Sequence, residues 1–147
     1  MIEIRPASLA DGRAIVALDA EITGTDKADY WTDIIERFAE TRPGLQRYFL
    51  VGTTPDDDLT GFIVGEIRAW EFGSPPCGWV VALSVSRGHR ERGIGSLLLE
   101  ALCEKFRGAG VETLRTMVLR NDKVNLSFFR GEGLAAGPYI ELEKRLD

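Results

Sequence analysis

The stretch "SRGHRERGIGS", Ser86 to Ser96, sets three arginines (Arg87, Arg90 and Arg92) among three glycines (Gly88, Gly93 and Gly95). Arginine carries a permanent charge on a fork of donors suited to phosphate oxygens. Glycine lets a bulky group come close to the backbone and tolerates a left-handed turn. Together these residue types suit the binding of a diphosphate. A tight strand-to-helix turn would use the same glycines, so the flanks must decide. Two familiar phosphate patterns fit poorly. A P-loop needs Gly-Lys before Ser or Thr, whereas Gly95-Ser96 has no lysine. A dinucleotide fingerprint needs a third glycine, and that position is Leu98.

The elements on either side are what would position such a loop. Before it, "GWVVALSV" (78–85) is apolar on both parities, as a central strand covered on both faces must be. After it, Ile94, Leu97, Leu98, Ala101, Leu102 and Phe106 recur at helical spacing, and "GAG" (108–110) marks the stop. The free amides of that helix's first turn, with the positive end of its dipole, face the loop. Upstream, Ile2 to Arg5 reads as a first strand ended by Pro6. "SLAD" offers a capping box from Ser8 to Asp11. Ile15, Leu18 and Ile22 mark one helix. A second runs from about Asp29 to Glu40, with Trp31, Ile34, Ile35 and Phe38 inward and "RPG" (42–44) as its stop. "RYFLVGT" (47–53) and "LTGFIVGEIRAWEF" (59–72) read as strands joined by the turn "TPDDD". Downstream, "ETLRTMVL" (112–119) reads as a strand, "NDKVNLSFFRGEG" as a short helix, and "AAGPYIELEKRL" as one or two final strands. The expected fold class is therefore α/β or α+β, a single domain over 1–147 built on one mixed sheet.

Bulk properties agree with that class. At 147 residues, 44% apolar and 28% charged, the chain reads as soluble and globular. A net charge of -5 argues against nucleic acid as a partner, despite the local basic patch at 87–92. Cys77 and Cys103 have no metal-ligand spacing and read as reduced packing residues. There is no apolar signal core and no run long enough to span a membrane, so a cytoplasmic protein is expected.

The strand, loop and helix "LSVSRGHRERGIGSLLLEAL" resemble the signature of the GNAT superfamily of N-acetyltransferases, R/Q-x-x-G-x-G/A, with Arg90, Gly93 and Gly95 in its three defined positions. A second block, "VLRNDKVNLSFFRGEGL", is similar to the family's later strand, Asn, short helix and glycine. The resemblance implies a mostly antiparallel mixed sheet, splayed at a cofactor notch, with helices on both faces. It implies acetyl-CoA as cofactor. The pantetheine arm would run along the backbone of Leu83, Ser84 and Val85. The pyrophosphate would sit on the amides of Glu91, Arg92, Gly93, Ile94, Gly95 and Ser96, beside Arg90, with the Glu91 carboxylate turned away. Asn121 or Asp122 would contact the arm, and Phe129 occupies the family's short-helix aromatic position. Either Asn121 or Asp122 would equally serve as a helix N-cap.

The same resemblance implies acetyl transfer to a primary amine, on a small molecule or peptide, by direct attack in a ternary complex. Here the chain departs from the family. Phe129 stands where many members carry a tyrosine thiol acid, and Trp79 and Met117 stand where subgroups carry a glutamate base. The remaining catalytic candidates are Glu66, in "IVGEIRAW", and Tyr139, in "GPYIEL". Glu66 might instead pair with Arg68, and Tyr139 might pack at a strand edge. His89 reads as a phosphate-side residue. Asp19, Glu21, Asp26 and Asp29 suit a cationic acceptor or simply solvate a helix. A non-catalytic acyl-CoA sensor is the alternative function, another diphosphate ligand is a third reading, and monomer and homodimer both stay open.

Overall fold

A computed structural model of the chain describes residues 1–39, 46–90 and 92–147. The expected "RPG" helix stop, Glu40 and Glu91 lie outside the described residues. The chain forms two compact units, Met1–Met117 and Val118–Asp147.

In the first unit, β1 (Glu3–Pro6) leads into α1 (Gly12–Thr23) and α2 (Ala28–Ala39). β2 (Arg47–Thr53), β3 (Leu59–Arg68) and β4 (Cys77–Val85) follow, then α3 (Ile94–Gly108) and β5 (Leu114–Arg115). The sheet is open, in the order β1-β2-β3-β4-β5. β1 to β4 pair antiparallel, and β4 pairs with β5 in parallel.

Side-chain alternation along the strands builds two apolar layers. Phe49, Val51, Phe62 and Val64 point to one face and pack with Ile15 and Leu18 of α1 and Trp31, Ile35 and Phe38 of α2. Trp31 meets Phe62 edge-on at 5.1 Å between ring centres. On the other face, β3 and β4 offer glycines where α3 presses in. A methyl group on Gly65 would lie 2.7 Å from Leu102, and one on Gly78 would lie 2.3 Å from Phe106. Those two positions must be bare for α3 to bury Ile94, Leu98, Leu99, Leu102 and Phe106. Each fully buried side chain of this size contributes roughly 1.5–3 kcal/mol. α3 is rotated relative to the expected face: Leu97 is exposed and Leu99 is buried.

The entry to α1 is held by charge. The Ser8 N–H donates to Asp11 Oδ2 at 2.8 Å, so the expected acidic half of the capping box forms, although a short 3₁₀ turn (Leu9–Asp11) precedes α1. Arg5 of β1 donates to both Asp11 oxygens, at 2.9 and 2.8 Å, in a bidentate pair. These bonds, opposed by burial, hold the Asp11 carboxyl below the usual carboxylate range.

Two strands end sooner than their sequences suggest. β3 stops at Arg68, and the chain turns through a 3₁₀ segment (Glu71–Gly73), with Trp70 and Phe72 at positive φ (67° and 55°). Both aromatic rings are exposed. β5 is two residues long rather than eight. The final strands expected over "AAGPYIELEKRL" do not form among the described residues.

The second unit is built on α4 (Lys123–Gly131). Asp122 is its N-cap: Oδ1 accepts from the Asn125 N–H at 3.1 Å, and Oδ2 accepts from Asn125 Nδ2 at 2.7 Å. Phe129 is buried against the edge of Phe128, with ring centres 5.1 Å apart. Gly133, at φ 95°, closes the helix, and the Leu134 N–H donates to the Phe129 carbonyl at 2.9 Å.

Gly78→Ala should lower stability by roughly 1–3 kcal/mol, a fall of several degrees in Tm, because Phe106 has to move. Differential scanning calorimetry checks this, and an unchanged Tm would contradict the packing. The folded Asp11 carboxyl titrates below its unfolded value, so its contribution is complete at neutral pH. That contribution fades as the pH falls through the folded value. Asp11→Asn should cost roughly 1–3 kcal/mol at neutral pH and lose less on acidification than the native chain, read from Tm against pH.

Candidate active site

β4 is flanked by β3 along its whole length but by β5 for only two pairs, Gly78↔Leu114 and Trp79↔Arg115. One more tie follows, from Thr116 Oγ1 to the Val80 carbonyl at 3.0 Å. Among the described residues no further pair of β4 with β5 follows it. The register of β4 with β3 is uneven. Val64 pairs with Ala82 and Gly65 with Val80, which leaves Val81 as an extra residue on β4. This bulge bends the strand and exposes Val81. From Val81 to Val85, among the described residues, β4 has a ladder only on its β3 side. Leu83, Ser84 and Val85 therefore have one backbone edge without a ladder among the described residues.

The notch leads straight to the glycine-arginine loop. The Ser86 N–H donates to the Thr60 carbonyl at 2.8 Å, which ties the end of β4 to the start of β3. A 3₁₀ turn (Arg87–His89) then carries the chain to α3. Gly93 takes the N-cap position at φ 72°, a left-handed conformation that favours glycine. The first helical bond runs from the Leu97 N–H to the Gly93 carbonyl at 3.0 Å. The N–H groups of Ile94, Gly95 and Ser96 thus have no acceptor within the helix. Arg87, Arg90 and Arg92 are exposed, and among the described residues no carboxylate pairs with them. His89 is half-buried, and its Nδ1 lacks a hydrogen-bond partner among the described residues. An open backbone edge running into free amides and guanidiniums fits a long ligand with an extended amide arm and a diphosphate end.

Glu66 does not join this notch. It pairs with Trp79, ahead of the bulge, and by alternation it faces the α1–α2 side with Phe62 and Val64. Its Oε1 accepts from Arg68 Nε at 2.9 Å, and its Oε2 lies 3.7 Å from Arg47 Nε. Arg68 also reaches Glu71 at 3.3 Å. The bond from Glu66 is the main cause that raises the Arg68 pKa. This network lines an open groove of about 580 Å³ with Gln46, Ile67 and Ala69. Of the two readings left open by sequence, the Arg68 neighbour is the one found.

The other candidates separate in the same way. Asp122 is the helix cap, and Asn121 precedes it, exposed. Tyr139 lies in the second unit and is half-exposed. Asp19 is buried and faces Lys27 at 3.2 Å, and Asp26 accepts from the Ala28 N–H at 3.1 Å. Trp31 is core, Trp79 half-buried, and Tyr30 and Trp70 exposed. Cys77 is buried 3.5 Å from Arg115. Sequence reasoning missed the bulge at Val81, because a doubled valine in a run of apolar residues carries no mark of it. It also missed the second arginine, Arg47, on Glu66; that pair depends on cross-strand register, which only the neighbouring strand reveals.

Among the described residues no helix is long and apolar enough to cross a membrane. No curated protein sequence matches the chain significantly. Solved structures do. The aminoglycoside 6'-N-acetyltransferase AAC(6')-Ih from Acinetobacter baumannii is 13% identical with a TM-score of 0.82, covering 100% of both chains. The aminoglycoside N-acetyltransferase AAC(6')-Iy, solved with CoA, is 14% identical with a TM-score of 0.84, over 99% of this chain and 95% of that one. The ribosomal-protein-alanine N-acetyltransferase from Brucella melitensis biovar Abortus 2308 is 19% identical with a TM-score of 0.78, over 99% and 100%. These likenesses establish the fold. The profile of the GNAT acetyltransferase family matches residues 13–134, which takes in the notch, the glycine-arginine loop and α4, and the chain belongs to that family.

Proposed function

We propose that the protein transfers an acetyl group from acetyl-CoA to a primary amine by direct attack in a ternary complex. The observation that carries this reading is the continuity of the open β4 edge with the free amides of α3. The backbone of Leu83, Ser84 and Val85 would pair with the amide arm of the cofactor. The N–H groups of Ile94, Gly95 and Ser96 would hold its pyrophosphate, with Arg90, Arg92 and Gly93 around it. Asn121 is proposed as the side chain that meets the arm. When bound, the cofactor supplies an activated thioester. A β4 N–H near Leu83 is the fixed donor available to the carbonyl oxygen as it gains charge. Cys77 is buried beside an arginine and Cys103 lies within α3, which supports direct attack rather than an acyl-enzyme.

The acceptor must be neutral to attack. For an amine with a pKa of about 10.4, that costs roughly 4–5 kcal/mol at pH 7. Glu66 is engaged by two arginines, so we assign it a positioning role: it stiffens the groove at the Arg47–Arg68 end. Proton removal is then left to solvent, and the rate should climb with pH until the acceptor's own pKa. Tyr139 is proposed as the hydroxyl that protonates the leaving thiolate in place of the family tyrosine. The structural neighbours that carry aminoglycosides or a ribosomal protein in their names make small-molecule and peptide amines the first acceptors to try.

Two experiments test this. Acetyl-CoA at about a hundred times its dissociation constant should stabilise the native chain by roughly 2.7 kcal/mol, a shift of several degrees in Tm. Gly95→Glu should abolish the shift, because a carboxylate enters the phosphate site. No shift in the native chain would leave the loop as a plain turn. Turnover across an amine panel comes next, as kcat/KM against pH. Glu66→Gln should keep the alkaline rise, and Tyr139→Phe should lower kcat roughly 10²-fold. A rise that disappears in Glu66→Gln would make Glu66 the base after all. A cofactor shift with no turnover on any amine would favour an acyl-CoA sensor.

A further inference from the structure

On the acetyl-transfer reading, on which this inference rests, the cofactor arm lies along Leu83 to Val85 and its diphosphate on the first turn of α3. The thioester then points back toward Val81, and the acceptor has to arrive from the other end of β4. Trp79 and Cys77 lie at that end, and their cross-strand partners on β3 are Glu66 and Arg68. Cross-strand partners share a face, here the α1–α2 side.

Arg68 is the pivot of this end. It lines the open groove with Arg47 and Glu66, and a narrow recess beside it with Trp70, Trp79 and Arg115. Its Nε donates to Glu66 at 2.9 Å and its Nη1 to Glu71 at 3.3 Å. Among the described residues its Nη2, with two N–H groups, donates to nothing, and the side chain is 48% exposed. Three guanidiniums (Arg47, Arg68 and Arg115) and two carboxylates (Glu66 and Glu71) line the two hollows together. The balance is positive, on a chain whose net charge is -5. A guanidinium with an unspent edge in a positive hollow is a seat for a carboxylate. A monoanion matches the small surplus of charge, whereas a phosphate, at about -2, exceeds it.

The rim suits an apolar body. The turn after β3 holds Trp70 and Phe72 at positive φ with both rings exposed. Left-handed aromatic residues are strained and persist where their surroundings fix them. The Trp70 N–H donates to the Ser74 carbonyl at 2.7 Å, and the Ser74 N–H to the Glu71 carbonyl at 3.0 Å. Arg68 holds the Glu71 side chain, and Arg115 donates to Ser74 Oγ at 2.9 Å. The guanidiniums that charge the hollow thus also hold its aromatic rim.

Register sets the spacing. Arg68 stands opposite Cys77, and its guanidinium turns back to Glu66, opposite Trp79. From those levels to Val81, at about 3.3 Å per residue, is roughly 7–13 Å. An α-amine beside its own carboxylate falls short of that, while an amine about two to four residue lengths of extended chain away fits. We propose that Arg68 anchors an acceptor subsite for a carboxylate, and that the acceptor is a small primary amine whose apolar body ends in that carboxylate.

Steady-state acetylation of ω-aminooctanoate, its methyl ester and glycine tests the proposal, beside calorimetric titration of octanoate and octanamide in the presence of CoA. The ester leaves the distant amine as it is and removes only the charge. The acid should exceed the ester in kcat/KM roughly ten-fold or more, through KM, and glycine should be a poor acceptor. Octanoate should bind and octanamide should not. Arg68→Gln should bring the ratio of acid to ester close to unity and weaken octanoate roughly ten-fold. Arg68→Lys keeps the charge and should keep part of both effects. A native-sized shift in Tm with acetyl-CoA confirms that each variant is folded with its notch intact. Equal rates on acid and ester, or a preference that survives Arg68→Gln, overturn the proposal and leave acetyl transfer standing. Glycine as the best acceptor overturns the spacing, and octanoate that fails to bind overturns the subsite. Octanoate held through Arg68 without turnover of any amine overturns acetyl transfer, and the acceptor role with it.

Discussion

One residue too many in β4 organises the functional half of this molecule. Every backbone N–H and C=O in a sheet needs a partner, and a strand that pairs evenly on both sides leaves none for a ligand. Val81 breaks that evenness. It is inserted opposite the Val64–Gly65 step, and among the described residues β4 keeps two pairs with β5 and a single threonine tie. The strand keeps β3 as its support on one edge and opens the other. The stretch from Val81 to Val85, mostly apolar in its side chains, keeps one backbone edge without a ladder among the described residues. Those are the requirements for holding an extended amide chain without any particular side chain.

The rest of the first unit keeps that edge in place. The α1–α2 layer covers Phe49, Val51, Phe62 and Val64 from one side. From the other side, α3 lies close enough to touch the backbone at Gly65 and Gly78. Because α3 is pinned to the sheet by Leu98, Leu102 and Phe106, its N-terminus is delivered to the end of β4 with the first-turn amides unspent. Gly93 makes the corner by taking a conformation that a side chain would resist. Packing on one strand face thus aims the dipole of a helix at the loop beyond the strand's end.

Much of this was legible in the residues. Apolar runs bounded by turn residues located β2, β3 and β4 within a few residues. Period 3.6 found α1, α2 and α3, and the glycine-arginine loop stood out between strand and helix. The weaker readings share one physical origin. The shortening of β5 and the rotation of α3 toward Leu99 both depend on what lies beside an element, not on the element's own composition. The same holds for Glu66: mid-strand position offered it to either face, and the face was decided by the parity of Phe62 and Val64, four and two residues earlier.

The sequence by itself therefore determined the kind of structure and the kind of ligand. Alternation, helical spacing, and the conjunction of glycine with arginine are local properties, written within a turn or a strand. Tertiary structure decided where the sheet opens and which charges are free to act. The bulge at Val81 exists only as a mismatch between two strands. The carboxylate of Glu66 is committed only because Arg47, nineteen positions earlier, stands across from it while Arg68 folds back along the same strand. Register is a relation between distant segments, and a single segment does not contain it.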